Sequence, residues 1–150
     1  MGRVGRLFSF AGRAGRLAYW RVQLVGLAII VFFWCVGLVL ASTLQVGALG
    51  AISLSGVLPA MAMVVAVMVR RLHDRGKSAW WLLVFYAIPY ACDVAVLWSA
   101  APQAGSALMR LVLSLVGLAL TLWGFIELGF IRGENGPNRY EPDPYAAASA

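Results

Sequence analysis

Charged residues are scarce in this chain. Asp, Glu, Lys and Arg make up 12% of its 150 residues, whereas a soluble domain carries roughly 25%. A soluble domain of this size has too much surface for its volume to bury so many apolar side chains, which excludes a small soluble globular protein. A disordered chain is excluded as well, because such chains are rich in charge and poor in apolar residues. The composition therefore indicates a protein whose solvent is lipid.

Histidine and cysteine are nearly absent too. The chain has one histidine, His73, and two cysteines, Cys35 and Cys92. A structural zinc site takes four Cys, His or carboxylate ligands, and both cysteines lie in apolar stretches away from His73. We interpret the cysteines as small apolar residues. We expect no metal site, no cofactor and no nucleic-acid partner.

Long charge-free runs predict membrane crossings. The 48 residues from Val22 to Val69 contain no Asp, Glu, Lys or Arg, and one crossing takes about 20 residues. This run therefore holds two crossings joined near residues 42–47, and two further apolar segments follow it. We predict an all-α, integral membrane bundle of four transmembrane helices, at about residues 22–41, 48–69, 80–97 and 108–131. Pro59 and Pro89 should kink the second and third helices.

The basic residues predict the orientation of this bundle. Eleven of the 12 fall in three segments that four crossings place on one side: the leading segment 1–21, the connection 70–78 and the tail 132–150. Only Arg110 falls on the other side. Loops rich in Lys and Arg stay in the cytoplasm. We therefore predict cytoplasmic termini, with a cytoplasmic basic segment at 1–21, a membrane domain at 22–131 and a cytoplasmic tail at 132–150.

The leading segment is also amphipathic. On a helical wheel its arginines gather on one side, and apolar residues such as Leu7 and Phe8 gather on the other. This pattern predicts an interfacial helix or pair of turns, with its guanidinium groups directed toward lipid phosphates. The alternative is that these arginines only set the topology.

Two carboxylates fall inside the predicted crossings, where charge is costly. Asp93 lies near the outer end of the third helix, and the short connection that follows should bring it close to Arg110. Glu127 lies near the inner end of the fourth helix. Its candidate partners there are Arg70, Arg71 and Arg21. We predict ion pairs that pin helix contacts, with proton or substrate handling as the alternative.

Three segments resemble the motifs of one family. Its opening motif is similar to residues 8–20 (FSFAGRAGRLAYW), its central motif to residues 70–81 (RRLHDRGKSAWW), and its closing motif to residues 133–144, which include GPNRY. The family is domain of unknown function 805 (DUF805), a group of small bacterial inner-membrane proteins, and the resemblance covers about residues 7–144. It implies a multipass protein of the bacterial inner membrane. It implies no activity, since the family's biochemical role is not established.

By the charge count, all three motifs lie on the cytoplasmic side, where they can build one binding face. The candidate residues of this face are Arg13, Arg16, Arg71, His73, Asp74, Lys77, Asn138 and Arg139. The alternative is a folding role, in which these residues satisfy one another's charges and the ends of helices. Both readings stay open at the level of sequence.

Three functions follow from these features. The first is a non-catalytic protein whose basic cytoplasmic face binds an anionic lipid headgroup or a partner membrane protein. The second is a small transporter or channel, formed by a homo-oligomer, with Asp93 or Glu127 lining the route. The third is a membrane enzyme that acts on a lipid headgroup through His73 and Asp74, the one place where a general base is available. We favour the first.

Overall fold

The structure is a computed structural model that describes residues 5–44, 49–99 and 107–140. Every regular element in these ranges is helical, which confirms the predicted all-α class. The elements are a 3-10 turn (Gly5–Leu7), α1 (Arg16–Leu44), α2 (Leu49–Asp74), a π-helical turn (Leu83–Ala87), α3 (Ile88–Ser99) and α4 (Ala107–Gly129). The predicted connection at 42–47, the connection before α4 and the end of the tail lie wholly or partly outside the described residues.

Three of the helices are long and apolar enough to cross a membrane. They are Arg16–Leu40 within α1, Ser55–Asp74 within α2, and Ala107–Gly129, which is α4. The π turn and α3 together form a shorter apolar helix, Leu83–Ser99. The chain is therefore a membrane protein by the length and composition of its helices.

The helices α1 and α2 are longer than the apolar runs in the sequence and extend into the basic segments beside them. α1 begins at Arg16 and α2 continues to Asp74, so that His73 and Asp74 lie in the last turn of a helix and not in a loop. The apolar run marks the part of a helix that lipid surrounds, and a helix continues beyond it wherever its polar groups find partners.

The described part of the leading segment, residues 5–21, does not form one continuous amphipathic helix, the first of the two predicted forms. Between the 3-10 turn and Arg16 the chain is irregular, and Gly12 has a φ of 88°, in the left-handed region that favours glycine. Arg13 and Ala14 are buried. Arg13 therefore faces the protein interior and not the lipid phosphates.

The helices pack as two hairpins. α1 lies along α2, and the π turn and α3 lie along α4. Glycines allow close approach in both: a Cβ at Gly26 would lie 2.5 Å from Cγ2 of Val64, and a Cβ at Gly124 would lie 2.7 Å from Cβ of Phe85. Small residues serve this purpose in membrane helices, where close van der Waals packing takes the place of the hydrophobic effect.

The π turn fits the proline that follows it. Its closing bond runs from the Ile88 N–H to the Leu83 carbonyl, five residues back. Pro89 comes next and has no N–H to continue a regular helical ladder. Within the turn, Phe85 is fully buried against Gly124. The widened turn therefore places a large aromatic side chain at the closest approach of α4.

The core lies at the end of the molecule where α2 and α4 both end. Its buried members are Ala14, Tyr19, Val67, Leu72, Phe85 and Leu128. They come from the leading segment, α1, α2, the π turn before α3, and α4. The two hairpins are joined at this end.

Replacing Gly124 by valine should destabilise the α3–α4 hairpin, because the added side chain overlaps Phe85. We expect a loss of ~1–3 kcal/mol, the usual cost of overpacking a filled site. The measurement is the free energy of unfolding in detergent micelles. The matched control is Ala119→Val, at an exposed position of the same helix. Equal stability of the two variants would contradict the proposed close approach.

A buried ionic junction as the candidate functional site

Asp74, the last residue of α2, lies between two arginines. Its side chain and those of Arg13 and Arg71 are all 0% exposed. Oδ1 accepts a hydrogen bond from Arg13 Nε at 3.0 Å, and Oδ2 pairs with Arg71 Nη1 from the preceding turn of α2. Burying a charge is costly unless it is paired and hydrogen-bonded. We call these three residues the ionic junction.

The Arg13 guanidinium also binds the tail. Its Nη1 donates to the Gly136 carbonyl at 2.7 Å, and its Nη2 donates to the Glu134 carbonyl at 2.5 Å. A guanidinium group presents its N–H donors in a rigid planar fork. One side chain of the opening motif can therefore hold the central motif, through Asp74, and the closing motif at the same time.

The C-terminal end of α4 is capped by side chains from elsewhere. The last carbonyls of a helix have no partner within the helix, and they carry the negative end of its dipole. Five consecutive carbonyls accept hydrogen bonds here: Leu128 from Arg71 Nε (2.9 Å), Gly129 from Trp20 Nε1 (3.1 Å), Phe130 from Arg16 Nη1 (3.2 Å), Ile131 from Arg71 Nη2 and Arg132 from Arg75 Nη1. The arginine side chains and the Trp20 indole thus supply the donors that these carbonyls lack within the helix. The arginines also oppose the negative partial charge at the helix end.

Backbone hydrogen bonds bring the same three segments together. The Ala14 N–H donates to the Arg70 carbonyl at 3.1 Å, and the Glu134 N–H donates to the Asp74 carbonyl at 2.8 Å. A Cβ at Gly133 would overlap the Asp74 carboxylate. Glycine is therefore required in the closing motif where the tail passes the ionic junction.

His73 is held by the opening and closing motifs. Its Nδ1 lies 3.2 Å from the Gly12 carbonyl, and its ring stacks on Tyr140 with centroids 3.8 Å apart and an interplanar angle of 7°. Asn138 Nδ2 donates to the His73 carbonyl at 2.8 Å. The His73 ring is thus held between the Gly12 carbonyl of the opening motif and the Tyr140 ring of the closing motif.

Glu127 has partners other than those suggested by sequence. Its Oε1 lies 3.2 Å from Arg75 Nε and 2.8 Å from Lys77 Nζ. The sequence suggested Arg70, Arg71 or Arg21, whereas the ion pairs of Glu127 among the described residues are with Arg75 and Lys77. After α2 ends, the chain turns back beside α4 and places residues 75 and 77 next to Glu127, while Arg71 is used by Asp74 and the end of α4. Lys77 also lies 4.5 Å from the centre of a Trp81 ring.

Asp93 and Arg110 lie apart from the junction. Arg110 Nη1 donates to the Ser99 carbonyl at 3.0 Å and so caps the end of α3. Asp93 is exposed in the wall of an apolar cleft. Within the described part of the chain, no ion pair joins these two residues.

The candidate face separates into buried and accessible residues. Arg13, Arg71 and Asp74 are buried in the ionic junction. The half-buried members are His73, Lys77 and Asn138, and the exposed members are Arg16 and Arg139. Arg139 Nη2 donates to the Gly76 carbonyl at 3.3 Å. The structure therefore brings all eight candidates to one end of the molecule but uses three of them internally.

Sequence reasoning missed several members of this arrangement. Arg75 pairs with Glu127, Trp20 caps α4, and Glu134 supplies a carbonyl for Arg13. Each of these residues lies inside one of the three motifs, and that location was the sequence signal that could have pointed to it. Their partners are 52 to 121 residues distant in sequence, and no local pattern reports such a contact.

This arrangement defines an all-helical membrane protein in which three motifs meet in a buried ionic junction at one end of two helical hairpins. The chain belongs to the family described as a protein of unknown function (DUF805), whose match spans residues 7–142 and includes residues of all three motifs. A search of curated proteins found no match, and neither did a search of solved structures.

Replacing Asp74 by asparagine removes the counter-charge that this carboxylate supplies to two buried guanidinium groups. We expect a loss of ~3–5 kcal/mol, as found when one partner is removed from a buried pair. The measurement is the free energy of unfolding in micelles, together with tryptic cleavage at Arg139. The control Asp93→Asn makes the same chemical change at an exposed carboxylate. If both variants unfold alike and keep their tails protected, the ionic junction does not hold the fold.

Proposed function

We propose that this protein is a bacterial inner-membrane protein with four crossings and cytoplasmic termini, and that it acts without catalysis by binding anionic lipid headgroups. The binding residues are four exposed arginines at the end that carries the ionic junction. These are Arg16, Arg21, Arg132 and Arg139. We call them the arginine rim.

The contacts at the junction support four crossings. Arg16 at the start of α1 and Arg71 near the end of α2 both bind carbonyls at the end of α4. These three helix ends therefore lie together. If α2 and α4 each cross the membrane, the segment between them must cross back. Leu83–Ser99 is the apolar helix available, and at ~1.5 Å per residue it is about 25 Å long, close to a hydrocarbon core of ~30 Å.

The charge balance at this end supports lipid binding. The buried carboxylates Asp74 and Glu127 are paired with Arg13, Arg71, Arg75 and Lys77. Among the described residues, no member of the arginine rim takes part in an ion pair. A basic residue near an anionic leaflet contributes about 1 kcal/mol of attraction. This set of exposed arginines without an ion pair to any described residue is the observation that carries the proposal.

Neutralising the whole arginine rim to glutamine should reduce retention of phosphatidylglycerol at least about tenfold, because several headgroup contacts of about 1 kcal/mol each are lost. The measurement is mass spectrometry of lipids kept after gentle solubilisation. The matched control is Arg110→Gln, at the opposite end of the bundle, and both proteins are first shown to melt at the same temperature.

Two results would contradict lipid binding. One is a folded rim variant that retains phosphatidylglycerol as the native protein does. The other is a co-purified protein that the rim variant loses while its lipid content stays unchanged, which would make the rim a protein-binding face.

The orientation has its own prediction. A reporter that is active only outside the cytoplasm should be active when inserted after Ala41 or after Ala101, and inactive when inserted after Lys77 or at the C-terminus. The physical reason is the concentration of basic residues at the junction end, which favours retention in the cytoplasm. Activity after Lys77, or inactivity after Ala101, would contradict the four-crossing topology.

A further inference from the structure

An open apolar cleft lies between the two hairpins, with Phe85 of the core in its lining. Its volume is about 680 Å³, within the range of ~300–1,000 Å³ that small-molecule sites occupy. One wall is α2, with Met61, Val64 and Met68, and the other is formed by the π turn, α3 and Thr121 of α4. Each helix pair packs closely, whereas α2 and α3 do not pack closely against each other.

Asp93 is the one charged residue among those lining the cleft, and no Lys or Arg is among them. It takes part in no ion pair within the described ranges. Tyr86 and Tyr90 precede it by seven and three residues on the same helix and line the same wall. A carboxylate inside the span of a membrane helix is costly, and it marks a site whose partner must be identified.

We propose that this cleft binds a hydrophobic cation, meaning an apolar molecule with an ammonium or phosphonium centre and no anionic group. Asp93 supplies the counter-charge, and the tyrosine rings offer the electron-rich faces that attract such cations. The apolar wall accommodates the body of the ligand. Met61 and Met68 can adjust to its shape, because methionine is unbranched and flexible.

The lining distinguishes this ligand from a membrane phospholipid. Phosphatidylethanolamine also carries an ammonium group, but its phosphate would enter the cleft beside Asp93. With no Lys or Arg in the lining, that phosphate would be unpaired in apolar surroundings, which is costly. The charge pattern therefore selects a cation without a phosphate.

The π turn contributes to the shape of the site. Leu83, Tyr86 and Ala87 belong to it and line the cleft. Such widened turns occur frequently at functional sites, because they change which side chains a helix presents. The site does not involve the arginine rim, so it stands or fails independently of the lipid-binding proposal.

The test uses two ions of the same shape and opposite charge, tetraphenylphosphonium and tetraphenylborate. Full-length protein is placed in phosphatidylcholine nanodiscs, and binding is measured by equilibrium dialysis after subtraction of empty nanodiscs. We expect saturable binding of tetraphenylphosphonium only. Asp93→Asn should weaken it at least about tenfold, equivalent to about 1.4 kcal/mol, and Asp93→Glu should retain it.

A second pair of variants tests the aromatic contribution. Tyr90→Leu should weaken binding of tetraphenylphosphonium, whereas Trp98→Leu should not, since Trp98 is exposed on the same helix but does not line the cleft. The melting temperature of each variant shows that it is folded.

Three outcomes would overturn the proposal. Equal binding of both ions would mean that the cleft takes up apolar molecules without regard to charge. Unchanged binding by folded Asp93→Asn would remove the carboxylate from the site. Displacement of tetraphenylphosphonium by phosphatidylethanolamine, but not by phosphatidylglycerol, would make the cleft a lipid site.

Discussion

The fold depends on one buried carboxylate held between two guanidinium groups. Asp74 neutralises only one of the two positive charges that Arg13 and Arg71 bring into the interior. The remainder is balanced by backbone carbonyls, above all those at the end of α4, which carry the negative end of the helix dipole. The pairing therefore joins an irregular segment, a helix end and the tail into one arrangement. A buried group of ion pairs of this kind determines which segments of the chain come together. Its contribution to the net free energy of folding is smaller.

This arrangement divides the basic residues between two roles. Those that pair with carboxylates are buried or half-buried and hold the motifs and helix ends together. Those of the arginine rim are exposed at the surface, where we propose that they bind anionic lipid headgroups. The three family motifs thus contain both kinds of basic residue: Arg13, Arg71, Arg75 and Lys77 in ion pairs, and Arg16 and Arg139 at the surface.

Away from the junction the two hairpins have little to hold them together. Close packing at Gly26 and Gly124 operates within each hairpin and not between them. The space left between α2 and α3 is apolar, and Asp93 is placed within it. The Asp93 carboxylate is therefore accessible from this cleft.

The sequence by itself determined the membrane character, the all-α class and the approximate position of each helix, because these follow from the length of apolar runs along the chain. The tertiary structure decided the helix ends and the pairing of charges. Arg13 does not face the lipid as the amphipathic pattern predicted, because it pairs with Asp74. That partner lies 61 residues away in the sequence, where a local pattern does not report it. Glu127 pairs with Arg75 and Lys77 because the turn after α2 directs them toward α4. Apolar run length is a property of neighbouring residues, whereas an ion pair requires two distant residues to meet, and only the folded chain specifies that meeting.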